Sequence, residues 1–121
     1  MINKKGFTLV ELVMIIVILG ILAIVAIPKY FDLQNDAKIA AEKGVVGGVR
    51  AGIHTYFAQN KAFPASLDSA SLAACSDTNA CFTTVLAQGG VTQDWTKASA
   101  TTYTGPAGTT YTYTAATGEF E

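Results

Sequence analysis

Residues 7–27 read FTLVELVMIIVILGILAIVAI, twenty-one residues whose one charge is Glu11. As a helix at about 1.5 Å per residue, the stretch spans roughly 31 Å, the thickness of a bilayer core. The residues before it, MINKKG, are short and basic through Lys4 and Lys5. Basic flanks stay on the cytoplasmic side, so the rest of the chain is sent outward. A secretory signal peptide would have a shorter apolar core and a small-residue cleavage site at its far end. Here the far end is Ala26-Ile27-Pro28-Lys29-Tyr30, and no A-x-A pattern fits it well. A plain membrane anchor explains the length but not the carboxylate near its start. An ionised carboxylate in hydrocarbon costs about 2.5–3.5 kcal/mol on insertion scales, which makes Glu11 a functional candidate. The competing reading is that Glu11, close to the edge of the stretch, reaches the headgroups.

The apolarity of this segment colours the whole composition. The chain has 121 residues, enough for one small domain, with eight basic and nine acidic side chains and a formal charge of −1. Charged residues make up 14% of it, against about 25% in an ordinary soluble domain. Half the residues are hydrophobic, which excludes a disordered tail and argues against a wholly soluble globule. The charge balance gives no electrostatic reason to expect whole-chain nucleic-acid binding. One His and two Cys leave little material for a metal centre or a His-based catalytic group. Asp68, Asp77, Asp94, Glu119 and Glu121 are dispersed, without calcium-loop spacing. No P-loop and no nucleophile motif is present. The expectation is a structural protein, with no catalytic residues, no metal site and no cofactor.

Lys4-Lys5-Gly6 followed by Phe7-Thr8-Leu9-Val10-Glu11 resembles the type III signal sequence of type IV prepilins and pseudopilins. The resemblance runs from Lys4 to Pro28: Gly before Phe, Glu four residues after that Phe, then an apolar run ending in Pro. It implies a leader peptide at 1–6, cut between Gly6 and Phe7 by a prepilin peptidase on the cytoplasmic side. It also implies N-methylation of the new Phe7 amine, residence in the inner membrane, and assembly by pilus machinery into a helical homopolymer. A six-residue leader and Phe at the first mature position look like the type IVa subclass. In similar subunits the helix between a Gly and a Pro unwinds on assembly, and Gly20 and Pro28 match that pair. The resemblance fades after about residue 60.

The residues support the same mechanism independently. Cleavage would remove two of the eight basic residues, Lys4 and Lys5, and create a charged amine four residues from Glu11. A helix moving from lipid into a protein bundle needs no water, but its buried carboxylate needs a partner. The Phe7 amine of an adjacent subunit fits, and such pairing favours one axial stagger over others.

Pro28 removes a backbone donor and predicts a kink or break, with Gly20 weakening the same stretch. Residues 7–28 therefore read as a transmembrane and filament-core helix, and 29–58 as an amphipathic helix continuing into a head. Val45, Val49, Ile53 and Phe57 (or Tyr56) recur at four, one helical stripe. Gly44, Gly48 and Gly52 recur beside them and allow another backbone close, from the head or from another subunit. Asn60-Lys61-Ala62-Phe63-Pro64 ends the helix.

Residues 59–121 form the head, whose core is feasible because the helix supplies one wall. Residues 66–87 read as an irregular connection with short helical pieces, such as Ser66 to Ala74. Thr101–Thr104 and Thr109–Thr114 around Gly105–Gly108 read as a hairpin, with a final short strand at Glu119–Glu121. Cys75 and Cys81 enclose a polar loop outside the cytoplasm and read as a disulfide, loop 75–81, rather than a metal pair. Many similar pilins bracket a C-terminal loop with theirs, whereas this one lies mid-chain. His54 reads as a packed or solvated residue and Trp95 as a core anchor. The Ser/Thr-rich tail has the composition of an acceptor for O-linked sugar.

The fold expected is α+β: a long N-terminal helical spine, membrane-spanning in its first half, and a small C-terminal head with a short antiparallel sheet. The function expected is a major pilin-like subunit of an extracellular filament serving adhesion, motility or DNA uptake. The alternative is a pseudopilin of a type II secretion system, towards which a calcium site in the C-terminal loops would point. An enzyme on a membrane anchor is the third and weakest reading.

Overall fold

A computed structural model describes residues 6–121 of the chain, so the expected leader residues 1–5, including Lys4 and Lys5, lie outside the described residues. One helix, α1, runs from Leu9 to Asn60. It is unbroken through Pro28, where the sequence predicts an interruption. A proline removes one i→i−4 bond, and the carbonyls before and after that gap still find donors. The helix ends two residues beyond the expected Ala58. There Lys61 adopts φ 58° and its N–H donates to the Phe57 carbonyl at 2.7 Å, an αL cap with Pro64 following.

The chain divides into two compact units, with the boundary between Asp36 and Ala37. The first, up to Asp36, is helical from Leu9 onward and has no buried side chain among its described residues. The second, Ala37–Glu121, holds the core. Its helical stretch buries Glu42, Val46, Val49 and Ile53, one residue per turn. This is the stripe expected from the sequence with two corrections: Val45 is half-buried and Phe57 is 41% exposed.

Against that stripe lies a four-stranded antiparallel sheet in sequential order, β1 Thr96–Lys97, β2 Thr102–Thr104, β3 Thr110–Thr114 and β4 Glu119–Phe120. Thr96 opposes Thr104, Tyr103 opposes Tyr111, and Tyr113 opposes Phe120. The period of two turns Lys97, Tyr103, Tyr113 and Phe120 inward and leaves Thr96, Thr110, Thr112 and Thr114 exposed. The β2–β3 hairpin and the final strand are as the sequence predicts, and β1 was not expected. Gly108 at φ 87° and Gly118 at φ 72° supply the left-handed residues that the two tight turns require.

The helical piece expected at Ser66 to Ala74 is absent, and 62–95 contains no helix. Asn79 explains part of this. Its side chain accepts from Ser71 N–H and donates to the Ser71 and Ala74 carbonyls, taking up groups that a helix would pair internally. The Cys75–Cys81 disulfide closes the same segment. Phe82 is at the centre of the core, with Trp95, Tyr103 and Phe120 around its ring at centroid distances of 5.4, 4.4 and 5.6 Å. Trp95 is 2% exposed, the core anchor expected of it.

The glycine repeat resolves residue by residue. A Cβ at Gly52 would collide with the Val85 carbonyl, so the 82–87 loop approaches the helix only because Gly52 has none. Gly48 leaves ordinary contact distance to Leu86, and Gly44 faces open space. Gly52 therefore serves packing within its own unit.

Candidate functional site

Two polar constellations stand out, one in each unit. The first is at the helix start. Thr8 is the N-cap: its Oγ1 accepts from Glu11 N–H at 3.2 Å, and Thr8 N–H donates to Glu11 Oε2 at 2.8 Å. This is a capping box, which satisfies two backbone donors that a helix start otherwise leaves unpaired. An acidic side chain in the first turn also meets the positive end of the helix dipole. The sequence carries this signal as T-x-x-E at 8–11, although the carboxylate draws attention first. Phe7 lies just before the cap and is 78% exposed.

Around and beyond Glu11, every large apolar side chain from Leu9 to Ile27 is exposed, from 42% at Ile15 to 78% at Leu9. Covering each would contribute about 1.5–3 kcal/mol, so the stretch as a whole demands an apolar environment. The helix is long and apolar enough to cross a membrane. A Cβ at Gly20 would meet nothing within contact distance, so no packing in this unit explains that glycine. Phe7 and Glu11 thus share one helix start, while Gly20 and Pro28 lie farther along the same element.

The second constellation centres on Asp68, buried in the C-terminal unit. Its Oδ1 accepts from Lys97 Nζ at 2.6 Å and from Ala70 N–H at 3.1 Å. Its Oδ2 accepts from Phe82 N–H at 2.8 Å and from the Tyr103 hydroxyl at 2.9 Å. Phe82 sits at φ 60°, uncommon for an aromatic residue, and the bond to Asp68 helps to hold it there. Burial pushes the Tyr103 hydroxyl far above its ordinary value, and the hydrogen bond and charge of Asp68 push it the same way. Both oxygens of Asp68 are paired and its side chain is buried, so the arrangement ties the 66–82 segment to the sheet rather than presenting a reactive group. Sequence reasoning missed it because one Asp and one Lys twenty-nine residues apart carry no local signal.

Tyr113 donates to the Pro64 carbonyl at 2.5 Å, and Arg50 Nε donates to the Phe120 carbonyl at 2.9 Å, pinning β3 and β4. Among the described residues no group of three or more His, Cys, Asp or Glu side chains is placed to hold a metal. His54 is exposed on the helix.

Comparison with known proteins adds weight to the first constellation. Residues 1–27 match the family described as the prokaryotic N-terminal methylation motif. The fimbrial protein EcpC of Eikenella corrodens is 31% identical over 71 residues, 59% of this chain and 46% of that protein. The type II secretion system core protein G of Pseudomonas aeruginosa is 35% identical over 64 residues, 53% of this chain and 45% of its own length. The type IV major pilin protein PilE of Neisseria gonorrhoeae is 36% identical over 73 residues, 60% of this chain and 44% of that protein. The matched part of the chain thus spans less than half the length of these relatives. No solved structure matches. With a match to the methylation motif over residues 1–27, a long apolar helix followed by an antiparallel sheet, and likeness to pilins and a pseudopilin over 64 to 73 residues, the chain is similar to the type IV pilins in that part of its sequence.

Proposed function

We propose that this chain is a structural subunit, of the major-pilin kind, that polymerises through its N-terminal helix into an extracellular type IV filament. The observation that carries the reading is the exposed apolar surface of residues 9–27 with a single carboxylate at its start. Such a surface needs lipid before assembly and protein afterwards. A prepilin peptidase cuts between Gly6 and Phe7, and the Phe7 amine is methylated. In the membrane the subunit is single-pass, with its C-terminal unit outside the cytoplasm. In the filament, Glu11 pairs with the Phe7 amine of a neighbour, which selects one axial stagger. Gly20 and Pro28 mark the stretch that unwinds to let the helices pack. The chain works as a building block and not as an enzyme.

The test is electron microscopy of sheared surface filaments with intact-mass analysis of their subunit. Filaments several hundred nanometres long, built from a chain beginning at a methylated Phe7, are the expected result. A subunit retaining Met1, or cut near Ala26, would overturn the processing. The similarity to a type II secretion core protein favours one second reading, a pseudopilin in a short periplasmic assembly. Finding only short, cell-confined polymers would select it.

A further inference from the structure

Glu42 is a glutamate on the buried stripe of α1, 2% exposed, where the periodicity at 46, 49 and 53 calls for an apolar residue. Its partners all come from the turn between β2 and β3 and the start of β3. Ala107 N–H donates to Oε2 at 2.7 Å, and the nearby Thr109 and Tyr111 side chains also favour its charged form. Gly105 lies so close that a Cβ there would stand 2.6 Å from the carboxyl carbon. The turn itself has a bare backbone, Gly-Pro-Ala-Gly at 105–108, with Gly108 at φ 87° and exposed. Pro106 forms a wall of two adjoining surface grooves, one floored by Val45 and Trp95, the other by Ala37 and Lys38. Nothing apolar from the turn enters the core, so the carboxylate is its main attachment to the helix.

We propose that the Gly105–Thr109 turn is a flap latched onto the Glu42 carboxylate and released by acid, changing the shape of the Trp95 groove beside it. Burial works to raise the Glu42 pKa, yet the bonds from Tyr111, Thr109 and Ala107 outweigh it and hold the group below the ordinary glutamate value. A depressed folded value means the latch is complete at neutral pH and is lost as pH falls through that folded value, below the usual glutamate range. Tyr111 is the titratable group in direct contact, and the pairing pushes it up, burial first and Glu42 second, with Arg50 opposing. It stays neutral through the acid range. Lys38 and Asp94 are the other charged groups at the turn: they line one groove with Gly105 and Pro106, and Lys38 lies one helical turn before Glu42. The proposed release acts through one proton on Glu42, whose carboxylate is the one that accepts from Ala107 N–H.

The experiment is amide hydrogen exchange on the mature chain in detergent micelles, expressed as protection factors at about pH 6 and about pH 3. The Ala107 amide should lose at least about tenfold protection on acidification, while the Cys81 amide, bonded to the Val91 carbonyl, stays protected. Glu42→Gln should give low Ala107 protection at both pH values and remove the pH dependence. Gly105→Ala reaches the same contact from the flap side, pressing on the carboxyl group, and should also free Ala107 at neutral pH. Unchanged Ala107 protection in wild type at about pH 3, or a pH dependence that survives in Glu42→Gln or Gly105→Ala, would overturn the proposal.

Discussion

Between Leu9 and Ile27 the helix leaves every large apolar side chain exposed, whereas between Glu42 and Ile53 it buries one residue per turn under a sheet of its own chain. The backbone is the same in both stretches. The difference lies in how apolar residues are distributed around the axis. A helix that is apolar all round offers no face to a small domain and must be covered by lipid or by other helices. A helix with one apolar stripe can be covered by sixty residues of the same chain. The polar groups follow the division. In the first stretch the one carboxylate is held by its own helix start, and in the second the one carboxylate, Glu42, is held by Ala107, sixty-five residues away in sequence.

The comparison can be broken most sharply at Glu11. Glu11→Ala removes one partner of the proposed intersubunit pair and strands the Phe7 amine, at about 3–5 kcal/mol per contact, repeated in every subunit. Processed protein should accumulate in the membrane with surface filaments scarce or absent, and the folded C-terminal unit should be untouched. The ratio of sheared filament to membrane-bound subunit measures this, and normal yield would leave Glu11 as a headgroup contact only. Asp68→Ala should do the reverse. It leaves Lys97 charged and buried with Phe82 N–H unpaired, and should lower the stability of the C-terminal unit by about 3–5 kcal/mol in denaturant titration without affecting membrane insertion.

Replacing Cys75 and Cys81 together by Ser should have a smaller effect, a loss of about 2 kcal/mol or less, because the ring they close is short. Thiol titration of the unreduced wild-type protein should find no free cysteine. The smallest effect should come from Thr8→Ala, which removes half the capping box at a cost of about 1 kcal/mol, read as faster amide exchange in the first helical turn. Filament yield should fall far less than in Glu11→Ala. Equal losses in the two variants would mean that Glu11 matters only as a cap.

The apolar helix, the hairpin, the final strand and the disulfide were legible because each rests on local pattern. Twenty-one residues of unbroken apolarity, Thr/Tyr alternation around Gly-Pro-Ala-Gly, and two cysteines six apart each speak for themselves. Glu42 was not legible, since a glutamate on an amphipathic helix reads as solvated until the turn that caps it is known. β1 escaped for a similar reason: two residues of strand exist because Tyr103 and Thr104 on one side and the 73–75 segment on the other pair with them. The piece expected to be helical at 66–74 is a case of side-chain competition, with Asn79 claiming the backbone from outside the segment. Of the helix-start site, the motif named the carboxylate, while its bond to Thr8 needed coordinates.

That bond to Thr8 bears on how a polymer of such chains comes apart. The lone subunit already supplies Glu11 with a donor, so a neighbour's amine replaces one hydrogen bond with another instead of filling a vacancy. The driving force of such an exchange is a difference between two polar contacts, small beside the apolar burial along the same helix. In the proposed filament, cohesion and alignment would be carried by separate atoms: the aliphatic side chains would hold subunits together, and the carboxylate would decide where they stop sliding. On that proposal, a subunit drawn back into the bilayer would re-form its internal bond and leave no uncompensated backbone donor at Thr8. Polymerisation built on such an exchange would run in both directions.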